Sequence, residues 1–118
     1  MRSRVSALIV LFVIGTGPAL AQSYNGRWEA AGPEIVGRHC PAYDAHIVVR
    51  GNAITIRLGG GAKNYVLQGQ VAPDGSFTAA GIEGKTSANG KFAGNDVEMA
   101  LIRSCGRAPG SGHRAAPQ

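Results

Sequence analysis

Four residues of this chain stand out as a possible set of metal ligands. They are His39, Cys40, His46 and Cys105. Zinc prefers thiolates and imidazoles in a tetrahedral array, so these four would make one candidate ligand set. Their spacing matches no zinc-finger or zinc-ribbon pattern. A disulfide between the two cysteines is the alternative, and it would leave no thiolate for a metal.

The patterns of common enzymes are missing from the sequence. No serine of the mature chain lies in a Gly-x-Ser-x-Gly motif, and the seven acidic residues show no spacing that selects two carboxyls across one cleft. Asp44 lies near His39 and His46, without an evident nucleophile or cleft. Gly59–Lys63 resembles a phosphate loop, but a strand pattern follows it instead of the helix that would hold the anion. We therefore predict a non-catalytic protein without a metal or cofactor.

The first 21 residues have the pattern of a secretory signal peptide. A short basic start precedes an apolar run from Val5 to Ile14, and Ala19-Leu20-Ala21 is a small-x-small cleavage site. The apolar run is shorter than the roughly 20 residues that a membrane-spanning helix needs. We predict cleavage between Ala21 and Gln22, a periplasmic or secreted product, and no membrane anchor after cleavage.

Export would place Cys40 and Cys105 in an oxidising compartment, where a disulfide between them is the default expectation. Removing residues 1–21 from the 118-residue chain leaves 97 residues, which is one small domain with a thin core. The disulfide would close a loop of 66 residues, counting both ends. The chain-entropy argument gives such a bond about 4 kcal/mol.

The charge of the chain does not indicate a nucleic-acid partner. The formal net charge of +5 falls to about +3 when Arg2 and Arg4 leave with the signal peptide. Three of the remaining basic residues, Arg103, Arg107 and Arg114, lie in the last 16 positions. The chain has no run of Lys or Arg, and its aromatic residues do not alternate with its charges.

The mature sequence has the pattern of antiparallel strands. Glycine is abundant, apolar residues alternate with polar ones, and turn signals recur about every ten residues. The clearest element is a hairpin from Asp44 to Leu58 around a Gly51-Asn52 turn. The register of this hairpin places six apolar residues on one face: Ala45, Ile47, Val49, Ile54, Ile56 and Leu58. On the other face, His46 lies opposite Arg57, and we expect the two side chains to form a solvated cross-strand pair.

Further strands are predicted before and after this hairpin. They run from Tyr24 to Ala30, from Asn64 to Val71, from Ser76 to Ile82, and along two arms of a last hairpin. Its turn is either Asn89-Gly90 or Gly94-Asn95. The second is preferred, because it pairs Phe92 with Val97 and gives the longer arms, Lys85 to Phe92 and Val97 to Arg103. Ile35-Val36 would add a short eighth strand, and residues 106–118 are predicted to form a flexible, basic tail.

The predicted fold class is all-β, a small antiparallel up-and-down meander that closes into a barrel of seven or eight strands within residues 22–105. Short loops between consecutive strands favour the up-and-down order, and closure removes exposed strand edges. A β-sandwich is the second choice. In a barrel this small, side chains usually fill the interior, which favours a packed core over a ligand cavity. We expect a monomer.

Two residues, one in the first and one in the last predicted strand, stand out. Trp28 lies in Gly26-Arg27-Trp28 of the first mature strand, and Arg103 ends the last predicted strand. This pair resembles the framework of the calycin group, which includes the lipocalin and avidin-like barrels. Those folds carry Gly-x-Trp at the start of the barrel and often an Arg near its end. The resemblance implies that Arg103 packs on the indole of Trp28, a cation–π contact of about 0.5–2 kcal/mol.

The size, export and single disulfide also resemble the periplasmic inhibitors of metalloproteases, which are small exported eight-stranded barrels. Their inhibitory N-terminal arm would correspond to Gln22-Ser23, while their disulfide clips a shorter segment than one from Cys40 to Cys105 would. The stretches Cys40–Asp44 and Ala72–Phe77 resemble small uncharacterised exported bacterial proteins. That last resemblance implies no activity.

Three functions follow, in order of preference. The first is an exported, non-catalytic module that binds a protein or small ligand through its surface or the barrel mouth. The second is a periplasmic protease inhibitor, which would need an exposed, rigid loop or arm. The third is a small enzyme. A carrier of small ligands would need a dry pocket of roughly 300 Å³ or more.

Overall fold

The protein is a closed barrel of eight antiparallel strands, each paired with its neighbours in sequence, and the last strand pairs with the first. The computed structural model describes residues 23–60, 65–82 and 84–115. The predicted signal peptide and the cleavage site before Gln22 lie outside the described residues. The predicted all-β, up-and-down barrel is confirmed. The strands are β1 (Gly26–Gly32), β2 (Tyr43–Arg50), β3 (Ala53–Gly60), β4 (Tyr65–Val71), β5 (Ser76–Gly81), β6 (Ser87–Ala93), β7 (Asp96–Arg103) and β8 (Gly106–Arg114).

The β2–β3 hairpin has the register predicted from its turn and its alternation. Val49 pairs with Ile54, and Ala45 pairs with Leu58. All six apolar residues of the predicted inner face are buried. Gly51 has a φ of +66°, which a primed two-residue turn requires at its first position. Turn chemistry and side-chain period therefore select the same pairing. The second strand of this hairpin continues to Gly60, into the predicted glycine loop.

The β6–β7 hairpin turns at Gly94-Asn95, as preferred from the sequence. Phe92 pairs with Val97, and both side chains are buried. Asn89 and Gly90 lie inside β6, opposite β7. The longer arms bury more apolar surface than a turn at Asn89-Gly90 would allow, and this decides between the two turns.

The prediction of a flexible tail from residue 106 is wrong for residues 106–114, which form β8 and close the barrel between β7 and β1. This strand has one fully buried apolar side chain, Ala108. Its glycines replace apolar residues where space is short. A Cβ on Gly110 would meet the Tyr43 hydroxyl, and a Cβ on Gly112 would meet the Glu29 carbonyl. Close strand approach therefore explains the unusual composition of this strand.

The prediction of a short strand at Ile35-Val36 is also wrong. Residues Val36–Arg38 form one turn of 3-10 helix, and Ile35 makes an isolated bridge with Cys40. The eighth strand of the barrel is instead β8.

Apolar side chains fill the interior. Trp28, Tyr43, Phe77 and Phe92 supply the largest groups, and aliphatic residues of β2, β3, β4 and β7 pack between them. Phe92 contacts three rings, with its centroid 4.4 Å from that of Trp28, 5.0 Å from Phe77 and 5.6 Å from Tyr24. These side chains therefore form the predicted packed core.

The two ends of the barrel differ. We call one the turn end, because the tight turns at Gly51-Asn52, Ala72–Gly75 and Gly94-Asn95 lie there. We call the other the disulfide end, which carries the long β1–β2 connection, residues 33–42, and the Ser104-Cys105 turn. In the part of the chain that the structure describes, no helix is long and apolar enough to cross a bilayer.

Candidate functional site

An arginine packs on the indole of Trp28 at the turn end, but it is Arg114 and not the predicted Arg103. The Arg114 guanidinium carbon lies 4.2 Å from the centre of the ring. Arg114 also donates to the Asn25 carbonyl at 2.8 Å and to Asn95 Oδ1 at 3.2 Å. Since β8 is the true last strand, its final residue occupies the position that the resemblance assigned to the end of β7.

Arg103 has the corresponding place at the disulfide end. Its guanidinium carbon lies 5.4 Å from the centre of the Tyr43 ring, and it donates to the Pro41 carbonyl at 3.0 Å. The Tyr43 hydroxyl donates to the Ala108 carbonyl at 3.1 Å. Burial raises the pKa of Tyr43, and the positive charge of Arg103 opposes part of that shift. An arginine and an aromatic ring thus close each end of the core.

The two cysteines form a disulfide at this end. Their sulfur atoms are 2.02 Å apart, and Cys40 is fully buried. The bond joins the β1–β2 connection to the β7–β8 turn, which are far apart in sequence. With both thiols used in this bond, the zinc alternative for Cys40 and Cys105 is wrong.

The disulfide also anchors a short exposed loop, residues 35–40, which we call the stapled loop. Ile35 and Cys40 exchange two backbone hydrogen bonds of 2.8 and 3.1 Å. Arg38 donates to the Arg107 carbonyl at 2.7 Å. Between these anchors Val36 is 71% exposed. Val36 is thus an exposed aliphatic side chain on a loop that is held at both ends.

A groove of about 820 Å³ lies on the outer face of the barrel. Its floor is a row of small side chains paired across neighbouring strands: Thr78, Asn89, Ala100 and Pro109. Ala100 faces outward from β7 and is nevertheless 2% exposed. The groove therefore follows from short side chains on four strands at the same height of the barrel.

Longer polar side chains form the walls of this groove. On the turn-end side, Lys91 and Glu98 are paired positions of β6 and β7. On the disulfide-end side the groove is lined by Arg107 of β8. Pro33, which precedes the stapled loop, also lines it. The groove and the stapled loop are thus continuous, and together we call them the recognition face.

The histidines lie outside the recognition face, except for His39 at the end of the stapled loop. His39 is exposed and has a φ of +56°. His46 does pair with Arg57 across the strands, as predicted. Its Nδ1 lies 2.7 Å from Glu29 Oε1, with both side chains about half exposed. Among residues 23–60, 65–82 and 84–115, no group of three or more His, Cys, Asp or Glu could hold a metal ion.

The structure defines the class of protein as a small, disulfide-linked, eight-stranded up-and-down barrel. No protein-family model, curated protein or solved structure matches the chain.

Sequence reasoning missed the groove. Each strand alone shows an ordinary alternation, and a short outward residue on one strand predicts nothing. The signal lies in the coincidence of Thr78, Asn89, Ala100 and Pro109 in one row, which becomes visible only when the register of four strands is known. Arg114 was missed because β8 was not recognised.

Proposed function

We propose that the protein is an exported, non-catalytic module that binds a partner protein through its recognition face. The observation that carries this proposal is the contrast between a filled interior and a groove of about 820 Å³ outside it. Aromatic and aliphatic side chains occupy the space that a carrier of small ligands would need for its cargo. This disfavours the alternative in which a small ligand enters the barrel mouth.

The chemistry of the groove supports binding over catalysis. The described lining residues include one carboxylate, from Glu98, and no histidine or cysteine. Acid–base and nucleophilic catalysis need at least two cooperating polar groups with matched roles. A mixed apolar and polar lining beside an exposed aliphatic residue is typical of a protein interface.

The disulfide supports an oxidising compartment, since such bonds persist outside the cytosol. We propose that residues 1–21 are removed on export and that the mature chain begins at Gln22, in the periplasm or outside the cell. Intact mass of the protein recovered from the exported fraction tests this point. A mass that still includes residues 1–21 would contradict it.

The groove itself is tested by filling it. Ala100→Trp and Ser111→Trp place a large ring at the floor and at the rim, and Ala53→Trp places the same ring on the outer face of β3 as a control. Each variant is used as bait against the exported proteins of the host after its folding has been checked by circular dichroism. We expect both groove variants to lose a partner that the wild type and Ala53→Trp retain. Retention of that partner by both groove variants would refute the proposal.

A protease inhibitor is the second candidate, and the stapled loop favours it. The predicted inhibitory arm is not supported by the contacts at the turn end, where Asn25 accepts a 2.6 Å hydrogen bond from Gly51 and the chain runs directly into β1. The stapled loop instead presents Val36 between a disulfide and a backbone bridge, and this meets the requirement for a rigid exposed loop. Val36→Asp should abolish inhibition in a panel of purified proteases. A wild-type protein that inhibits none of them would rule this candidate out.

The packing of Arg114 on Trp28 also supports a structural relation to the calycin group, which we propose for the fold alone. It assigns no ligand to this chain.

A further inference from the structure

A further hollow, of about 400 Å³, lies at the turn end on the outer face of β1 and β2. We call it the turn-end hollow. Two glycines leave room for it, because Gly26 begins β1 and Gly51 begins the β2–β3 turn without a side chain. The Asn25 side chain joins the two strands here, since its Oδ1 accepts a 2.6 Å hydrogen bond from the Gly51 amide. The other lining residues are Arg27, Val48, Val49 and Arg50.

Two arginines line this hollow from neighbouring strands. Arg27 of β1 pairs with Val48 of β2, and Arg50 lies two residues further along β2, on the same face. Arg27 and Arg50 are therefore diagonal neighbours, with Cα atoms about 7–8 Å apart. Both residues are exposed. Since both side chains line the same hollow, their guanidinium groups flank one space above Val48.

The described part of the chain supplies no acid to balance these two charges. Neither guanidinium has a carboxylate within 4.0 Å there, and no described carboxylate lines the hollow. Glu29 lies two residues after Arg27 on the same face, but its Oε1 is 2.7 Å from His46 Nδ1. Like charges on paired strands repel each other. An anion between Arg27 and Arg50 would remove that cost.

The donors of this hollow are available to a ligand. Arg103 and Arg114 each donate to a backbone carbonyl, whereas the two arginines of the hollow make no side-chain hydrogen bond to a described residue. The oxygen of the Asn25 side chain faces the Gly51 amide, so its NH₂ group remains as a neutral donor. Arg114 adds to the positive field, because its Nη1 would lie 3.5 Å from a Cβ on Gly26.

These donors match a phosphate group better than other anions. Each guanidinium is a planar fork that can bind two oxygens at once. Two forks suit a group with three exposed oxygens and close to two negative charges, which is what a phosphate monoester offers at neutral pH. A carboxylate has two oxygens and one charge, so it satisfies one fork. Nucleic acid needs a stripe of cations along its backbone, and one pair of arginines does not supply it.

We propose that the turn-end hollow is a binding site for a phosphate group, either free or on the headgroup of a lipid. Arg27 and Arg50 bind its oxygens from two neighbouring strands, and the Asn25 amide donates to it from the end of the barrel. The site lies on β1 and β2, outside the recognition face. This inference therefore goes beyond the proposed function and does not depend on it.

The test titrates exported protein labelled with ¹⁵N with inorganic phosphate, while sodium chloride keeps the ionic strength constant. The Gly26, Val48 and Gly51 amides should shift along a saturating curve, and acetate should act more weakly. A water-soluble, short-chain phosphatidic acid is the second probe. Saturation by both probes means that the site accepts the phosphate on either carrier, and saturation by one identifies the carrier. Saturation by neither, or an equal response to acetate, would overturn the inference.

Charge removal makes the test specific to the two arginines. Arg27→Gln and Arg50→Gln should each weaken phosphate binding about three- to fivefold, as the loss of one exposed charge pair predicts. Both residues are exposed, so the barrel should fold, which circular dichroism checks. Arg57→Gln makes the same change in charge on the outer face of β3 and should keep the wild-type affinity. Unchanged affinity in both hollow variants, or an equal loss in Arg57→Gln, would refute the assignment.

Discussion

Removal of the Cys40–Cys105 disulfide should destabilise the barrel by about 4 kcal/mol. The two residues are 65 positions apart, and cross-linking them restricts the unfolded chain by that free energy in the chain-entropy treatment. Domains of this size have total stabilities of about 5–15 kcal/mol. Since each kcal/mol moves the Tm of such a domain by about 4–8 °C, the expected decrease in Tm is about 15–30 °C.

The variant that isolates the bond is Cys40→Ala/Cys105→Ala. Cys40 is fully buried, so a serine there would add a hydroxyl without a partner, at a cost of about 1–3 kcal/mol that has nothing to do with the bond. Wild-type protein kept in reductant gives a second measurement in which no side chain is shortened. The two should agree to within the effect of the lost sulfur atoms.

Urea denaturation followed by the fluorescence of Trp28, the only tryptophan, measures the free energy of unfolding. The oxidised protein should also have the smaller m-value, because its unfolded chain stays more compact. The reasoning is refuted if the reduced wild type and the alanine variant both unfold within about 1 kcal/mol of the oxidised protein, far below the predicted difference.

Three further predictions concern single side chains. Arg114→Ala should lower the free energy of unfolding by about 2–3 kcal/mol, because it removes a cation–π contact and two hydrogen bonds; Arg57→Ala, on the exposed face of β3, should change it by less than about 0.5 kcal/mol. Gly112→Ala should cost about 3 kcal/mol, since its Cβ would meet the Glu29 carbonyl, whereas Gly37→Ala enters open space and should be nearly neutral. The folded protein holds the Tyr43 proton more tightly than the unfolded chain does, because burial raises the pKa of Tyr43. The contribution of the Tyr43 proton to the free energy of unfolding is therefore complete below pH 10.0, the ordinary pKa of tyrosine, and is lost as the pH rises through the higher pKa of the folded state. Since Tyr43→Phe removes this proton, the free energy of unfolding of the variant should fall less steeply above about pH 10 than that of the wild type.

The same urea titrations decide these predictions. Equal losses for Arg114→Ala and Arg57→Ala would show that the pair on the indole contributes nothing beyond a surface charge. A fully stable Gly112→Ala would mean that β8 approaches β1 less closely than described. If the free energy of unfolding of Tyr43→Phe follows that of the wild type in parallel up to pH 11, about one unit above the ordinary pKa of tyrosine, Tyr43 is not the cause of the loss of stability at high pH.

The fold could be predicted where two local signals agree. In the β2–β3 hairpin, the Gly51-Asn52 turn and the alternation from Ala45 to Leu58 select one register, so the pairing was predictable in detail. In β8 neither signal exists. Ala108 is its one fully buried apolar residue, and Gly110 and Gly112 are explained by atoms of other strands. The strand forms because β1 and β7 both offer it hydrogen bonds, which is a property of the closed barrel and not of residues 106–114 alone.

The same limit applies to the recognition face. The disulfide could be inferred from composition and the predicted compartment alone, because the chain has only two cysteines. The arginine that packs on Trp28 could be identified only if the last strand was known. Because β8 was not predicted, the sequence pattern pointed to Arg103. The row of short side chains through Ala100 could be recognised only from the pairing register of four strands together. Sites built from one short residue per strand are therefore beyond what periodicity can indicate.

Ser23 and Ala115 both lie at the turn end, where the Ala115 amide donates to the Arg27 carbonyl. Val36 and the disulfide lie at the opposite pole. Anything fused before Ser23 or after Ala115, whether an affinity tag, a fluorophore or a solid support, will therefore tether the molecule by one pole and leave the other pointing away. An array immobilised in this way would hold every copy by the same pole.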